Sequence, residues 1–116
     1  MAFARKTRFN RPRNQYRLLM RSLARSLVLE EKISTTETKA KALRPVIERL
    51  VTYAKKNTLA SRRLARAKLG DAAAVKKLFD SIGPRYATRA GGYTRVVKRT
   101  LRGSNDARKL AYIAFV

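Results

Sequence analysis

Cysteine, histidine and tryptophan are absent from these 116 residues, and only 7 acidic side chains stand against 29 basic ones. Without cysteine there is no disulfide framework, thiol nucleophile or thiolate zinc site. Without histidine the commonest general base is missing. Carboxylates are the remaining catalytic resource, and the adjacent pair Glu30-Glu31 would point about 100° apart on a helix, too divergent to face one substrate. That pair reads better as a helix end or as a balance to nearby lysines. No spacing of acidic residues suggests a metal cage. Gly91-Gly92-Tyr93-Thr94 lacks the Gly-Lys-Ser/Thr ending of a nucleotide phosphate loop. No apolar run approaches the roughly 18 residues that span a bilayer, and the basic opening has no apolar core of a signal peptide. The expectation is a soluble, intracellular, non-enzymatic protein with no cofactor and no metal.

What is abundant is positive charge, a net +22. A folded body with that much like charge repels itself, so its natural partner is a dense polyanion, and nucleic acid is the obvious one. Up to Ser26 the chain carries Arg5, Lys6, Arg8, Arg11, Arg13, Arg17, Arg21 and Arg25 with no acidic residue among them. Arginine dominates there, and its planar guanidinium grips a phosphate through two hydrogen bonds and stacks on a base. This favours a specific site over loose coating.

The apolar fraction of 45% is that of a folded domain. Residues 1–13 have no helical period and read as an extended basic arm; residues 14–116 read as one domain. From Gln15 to Val28, Tyr16, Leu19, Leu23 and Leu27 recur at helical spacing, while Arg17, Arg21 and Arg25 recur every fourth residue. The offset puts the two series about 200° apart, one face packing and the other a row of guanidiniums. Lys32 to Thr36 suits a strand, and Thr36 can cap a helix running from near Glu37 to about Lys56, with Leu43, Ile47, Leu50 and Ala54 on its buried side. Pro45 lies inside that helix and predicts a bend or a late start. Thr58 and Asp71 are caps for two further helices, with Gly70 and Gly83 as their stops. Val75, Leu78, Phe79 and Ile82 form a core stripe. Two strands follow, from Tyr93 and from Leu110, around a turn at Gly103-Ser104-Asn105-Asp106. The last is apolar on both alternations and reads as a central strand covered on both faces. The expected fold class is α+β: a basic N-terminal arm and several helices packed on a small three-stranded mixed sheet that ends in a C-terminal β-hairpin.

Three basic constellations are candidates for RNA contact. The first is the arm with the first helix, from Arg5 to Arg25. The second is Arg62 and Arg63 with Arg66 one turn later. The third is Arg85, Arg89, Arg95, Lys98 and Arg99 at the entrance of the hairpin. Phe3 and Phe9 interleave with the first set and are candidates for stacking on unpaired bases, as are Tyr86 and Tyr93 in the third, though aromatics beside a sheet more often pack. Gly91 and Gly92 would let the backbone approach a phosphate closely, or simply let a loop turn.

The run from Lys76 through Leu78-Phe79-Asp80-Ser81-Ile82-Gly83-Pro84-Arg85-Tyr86, followed by Arg89-Ala90-Gly91-Gly92-Tyr93-Thr94-Arg95-Val96-Val97-Lys98, resembles the bacterial large-subunit ribosomal protein family L-seventeen. Ile33-Ser34-Thr35-Thr36 with Lys39 to Arg44, Arg62-Arg63-Leu64 and the closing Leu110-Ala111-Tyr112-Ile113 extend the resemblance over most of the chain in order. The opening Met1-Ala2-Phe3-Ala4-Arg5-Lys6 departs from the family's usual Met-Arg-His start. The resemblance implies helices packed on a small sheet, binding to 23S ribosomal RNA near the outer end of the nascent-chain tunnel in a cytoplasmic ribosome, and the large-subunit proteins L-thirty-two and L-twenty-two as neighbours. Charge alone leaves two rivals: chiefly a nucleoid-type DNA-binding protein, which needs a groove-reading helix or dimer arms, neither of them evident, and then a membrane-active cationic helix at Tyr16 to Val28, whose apolar face the core needs.

Overall fold

A computed structural model describes residues 12–99 and 110–116. Arg5, Lys6, Arg8, Arg11, Phe3, Phe9 and the turn at Gly103-Ser104-Asn105-Asp106 lie outside the described residues. Helix α1 spans Arg13–Glu30, so Pro12 is its N-cap and Arg13 belongs to the helix rather than to an arm. It stops at Glu31, whose backbone turns left-handed (φ 66°) and whose N–H returns to the carbonyl of Leu27. Strand β1, Lys32–Thr36, leads into α2, Glu37–Lys56, where the Thr36 hydroxyl accepts from the Lys39 amide. That bond satisfies one of the free donors of the first turn. Glu37 at the start and Lys55 and Lys56 at the end complement the helix dipole. Pro45 sits inside α2 without delaying its start, since the helix already begins eight residues earlier at Glu37.

A reciprocal cap opens α3, Leu59–Leu69: Ser61 N–H donates to Thr58 Oγ1 and Thr58 N–H to Ser61 Oγ. Gly70 ends it in the left-handed conformation (φ 66°), and Asp71 caps α4, Ala72–Lys77. The chain then passes through a π-helical turn, Leu78–Ile82, into α5, Gly83–Arg85. Gly83 therefore does not terminate the helical course. Its φ is helical, and a Cβ there would lie 3.0 Å from the Ala54 Cβ and 3.1 Å from the Ala54 carbonyl oxygen. Glycine is needed at this point for backbone-close packing on α2, a demand that sequence spacing alone does not distinguish from a stop signal.

Strands β2, Thr94–Arg99, and β3, Leu110–Phe115, complete the sheet in the order β1-β3-β2. Both pairs are antiparallel, so the sheet is not mixed. The two outer strands run the same way but never touch, because β3 separates them, and no parallel ladder arises. β3 is central, as its composition predicts, but it is covered on one face: Ala111 and Ile113 are fully buried, whereas Leu110 and Tyr112 on the other alternation are half-buried. The core lies between the sheet and the helices, around α2, with Leu43, Ile47, Leu50 and Val51 meeting Leu27, Leu69, Leu78 and Ile82. No buried side-chain polar atom among the described residues lacks a partner. Among the described residues, unmatched side-chain polarity is therefore confined to atoms in reach of solvent.

Candidate nucleic-acid interface

The guanidinium row of α1 does not oppose the buried face. Met20, Ala24, Leu27 and Val28 are the buried positions, centred between the leucine series and the arginine series, so Arg17, Arg21 and Arg25 flank the core contact by only about 80°. The small Ala24 and the flexible Met20 let α1 lie close to its neighbours on that side. Tyr16, Leu19 and Leu23 pack only partly. Arg21 lies along the neighbouring helix: its Nη2 donates to the Ala67 carbonyl (2.9 Å), and its stem would sit 3.1 Å from a Cβ at Gly70. A cation on the last turn of α3 also meets the negative end of that helix. Arg13, Arg17 and Arg25 have no ion pair or hydrogen bond among the described residues.

The second constellation divides in the same way. Arg62 is held by Asn57 Oδ1 (3.3 Å), lies over the Phe79 ring (4.9 Å) and approaches Asp80 (4.0 Å). Arg63 and Arg66 are exposed and unpartnered among the described residues. In the third, only Arg95 has no partner among the described residues. Arg85 is ion-paired with Glu31, Arg89 donates to the Gly91 carbonyl (3.1 Å), Lys98 lies 3.4 Å from Glu37, and Arg99 donates to Ser34 Oγ (2.9 Å). Exposed and unpartnered cations that spacing did not single out are Arg44, Arg49, Lys56, Lys68 and Lys76. Tyr86 and Tyr93 are buried, their rings 5.2 Å apart and backed by Phe115, so they pack and do not stack on bases.

Glu31 and Glu37 are engaged in ion pairs within the fold. Glu31 receives Arg85 and Lys77, which ties the end of α1 to the helices that follow Asp71. The Arg85 hydrogen bond, then the Arg85 and Lys77 charges, hold its carboxyl below the usual carboxylate range against a partial burial that pushes it up, and the same bond raises Arg85. Glu37 is likewise lowered, first by the hydrogen bond from Lys41 and then by the charges of Lys41 and Lys98. A carboxyl whose folded value is depressed stabilises the fold above its unfolded pKa, and that stability is lost as pH falls through the folded value. Urea titrations should therefore show stability declining as pH drops below about 4.5, with a shallower decline in Glu31→Gln; identical acid limbs in both proteins would contradict the assignment.

Two residues that no motif announced brace the loop into β2. The Glu48 carboxylate on α2 accepts from Tyr93 N–H (3.2 Å), Thr94 N–H (3.2 Å) and the Thr94 hydroxyl (3.0 Å). One turn and more along the same helix, Lys55 donates to the Arg89 carbonyl and to Tyr93 Oη. Among the described residues no group of acidic side chains could hold a metal ion, and no helix is long and apolar enough to cross a membrane.

A family model described as Ribosomal protein L17 matches residues 19–116. The chain belongs to the L17 family of ribosomal proteins. Relatives called large ribosomal subunit protein bL17 are 54% identical in Hydrogenobaculum sp. (strain Y04AAS1), over 97% of this chain and 95% of the relative, and 49% identical in Thermomicrobium roseum, over 94% and 92%. A third, from Sphingopyxis alaskensis, is 50% identical over 84% of this chain and 70% of its own length. L17 proteins are ribosome constituents, not a family of enzymes. The L17 match starts within α1 and takes in every guanidinium described above from Arg21 onward.

Proposed function

We propose that this L17 chain is a structural constituent of the large ribosomal subunit, in a cytoplasmic ribosome, that binds 23S ribosomal RNA near the outer end of the nascent-chain tunnel. The observation that carries the reading is the contrast between a fully satisfied interior and the exposed, unpartnered Arg13, Arg17, Arg63, Arg66 and Arg95. Arginines kept out of internal ion pairs retain their full field for phosphate oxygens. The body, whose first helix begins at Arg13, docks as a unit and the residues before Pro12 extend along the RNA, with Arg5, Lys6, Arg8 and Arg11 on phosphates and Phe3 and Phe9 against bases. Phosphate contacts supply affinity, and the fixed shape of the folded RNA supplies selectivity. The large-subunit proteins L-thirty-two and L-twenty-two are the protein neighbours in this reading.

Binding of the full chain to protein-free large-subunit RNA and to duplex DNA of equal length, at one salt concentration, tests it. The expected result is a clear preference for the RNA. Equal binding, or preference for duplex, would favour the DNA-binding rival.

A further inference from the structure

Among the described glycines, three have an internal reason and one has none: Gly70 ends α3 in the left-handed conformation (φ +66°). Gly83 is required by the contact with Ala54, and Gly92 by its left-handed backbone (φ +64°). Gly91 has neither demand: its φ lies outside the left-handed region, and a Cβ added there meets nothing within 4 Å. Alanine would fit, and would reduce the freedom of the unfolded chain. The loop is not slack either. Lys55 holds the Arg89 carbonyl, Glu48 holds the Tyr93 and Thr94 amides, the Tyr93 hydroxyl donates to the Arg89 carbonyl (3.1 Å), and Arg89 Nε closes back on the Gly91 carbonyl. The N–H groups of Gly91 and Gly92 have no acceptor among the described residues, and both residues are exposed. The Arg89 guanidinium stands beside them, its Nη2 only 3.8 Å from where a Gly92 Cβ would lie. A bare, braced segment with free amides next to a guanidinium offers an anion both hydrogen bonds and charge, with no side chain in the way.

We infer that the loop 89–92 is a seat for one phosphate of the RNA backbone, with Gly91 as the point of closest approach and Arg89 as the flanking charge. The inference rests on the reading of the chain as an RNA-binding protein. It explains why a position with open space carries no side chain: the space is taken by the partner.

The test is Gly91→Ala in the full-length protein, read by melting temperature and by affinity for protein-free large-subunit RNA at fixed salt, with Gly92→Ala for comparison. The expected result is a Gly91→Ala melting temperature equal to or slightly above the parent's, together with roughly tenfold weaker RNA binding, the scale of one charge-assisted hydrogen bond. Gly92→Ala should instead lower the melting temperature. Unchanged RNA affinity in Gly91→Ala would overturn the phosphate seat while leaving RNA binding intact. A fall in melting temperature like that of Gly92→Ala would also overturn it, because the glycine would then serve the fold. If the parent protein shows no preference for the RNA, the underlying functional reading fails instead.

Discussion

The affinity of the isolated protein for large-subunit RNA is expected to fall by about a thousandfold between 50 and 200 mM salt, given about six phosphate contacts at a slope of roughly 0.8 each. The arginines without internal partners among the described residues set this number as a minimum, to which phosphate contacts by Arg5, Lys6, Arg8 and Arg11 would add. Exposed Arg13, Arg17, Arg63, Arg66 and Arg95 and half-buried Arg25 each neutralise a phosphate, and the cations condensed on the RNA are released on binding. Arg63→Ala or Arg66→Ala should therefore reduce the slope of log affinity against log salt by about 0.7 to 0.9 and leave melting unchanged. Arg85→Ala should do the reverse, since Arg85 is engaged with Glu31. Filter-binding or fluorescence titrations at several salt concentrations read both quantities. A flat salt response would contradict phosphate binding as the source of affinity.

Replacing Glu48 with alanine is expected to lower the unfolding free energy by about 3 kcal/mol, among the largest losses available to a substitution outside the apolar core. Its carboxylate is the acceptor for two backbone amides and one hydroxyl at the start of β2, and Thr94 is 2% exposed. Once the carboxylate is gone, those part-buried donors have no replacement in the fold. A hydrogen bond to a charged group contributes about 1.5 to 3 kcal/mol, and bonds that share one acceptor group do not add fully. For a domain of this size the loss corresponds to a melting temperature lower by roughly 10 °C. Glu48→Gln, which keeps the volume and one carbonyl oxygen, should lose less. Calorimetry of the three proteins decides. A Glu48→Ala loss under about 1 kcal/mol would mean that the β2-β3 ladder and the Tyr86-Tyr93 packing hold the loop without it.

Local signals with a single physical meaning were legible in the sequence. Thr36, Thr58 and Asp71 are caps because a side-chain oxygen before a helix has few other uses. The stripe Val75, Leu78, Phe79 and Ile82 is buried, and the doubly apolar last strand is the middle one. Signals with two meanings were not. Gly83 marks a close approach rather than a stop, and small Ala24 weighs little in a hydrophobic pattern yet defines where α1 packs. Long-range partners were invisible: Glu48 meets Thr94 across 46 positions, and Arg85, though exposed, is paired with Glu31. Composition therefore announces a cationic surface, whereas only the fold separates the arginines that brace the body from those left for a partner.

That separation is tested most directly by a density map of the large subunit assembled with this chain. The predicted result is Arg17, Arg25, Arg63, Arg66 and Arg95 each about 3 Å from a ribosomal RNA phosphate oxygen, with Arg85 still on Glu31. Those five guanidiniums facing open solvent, with the RNA lying against other parts of the surface, would contradict it.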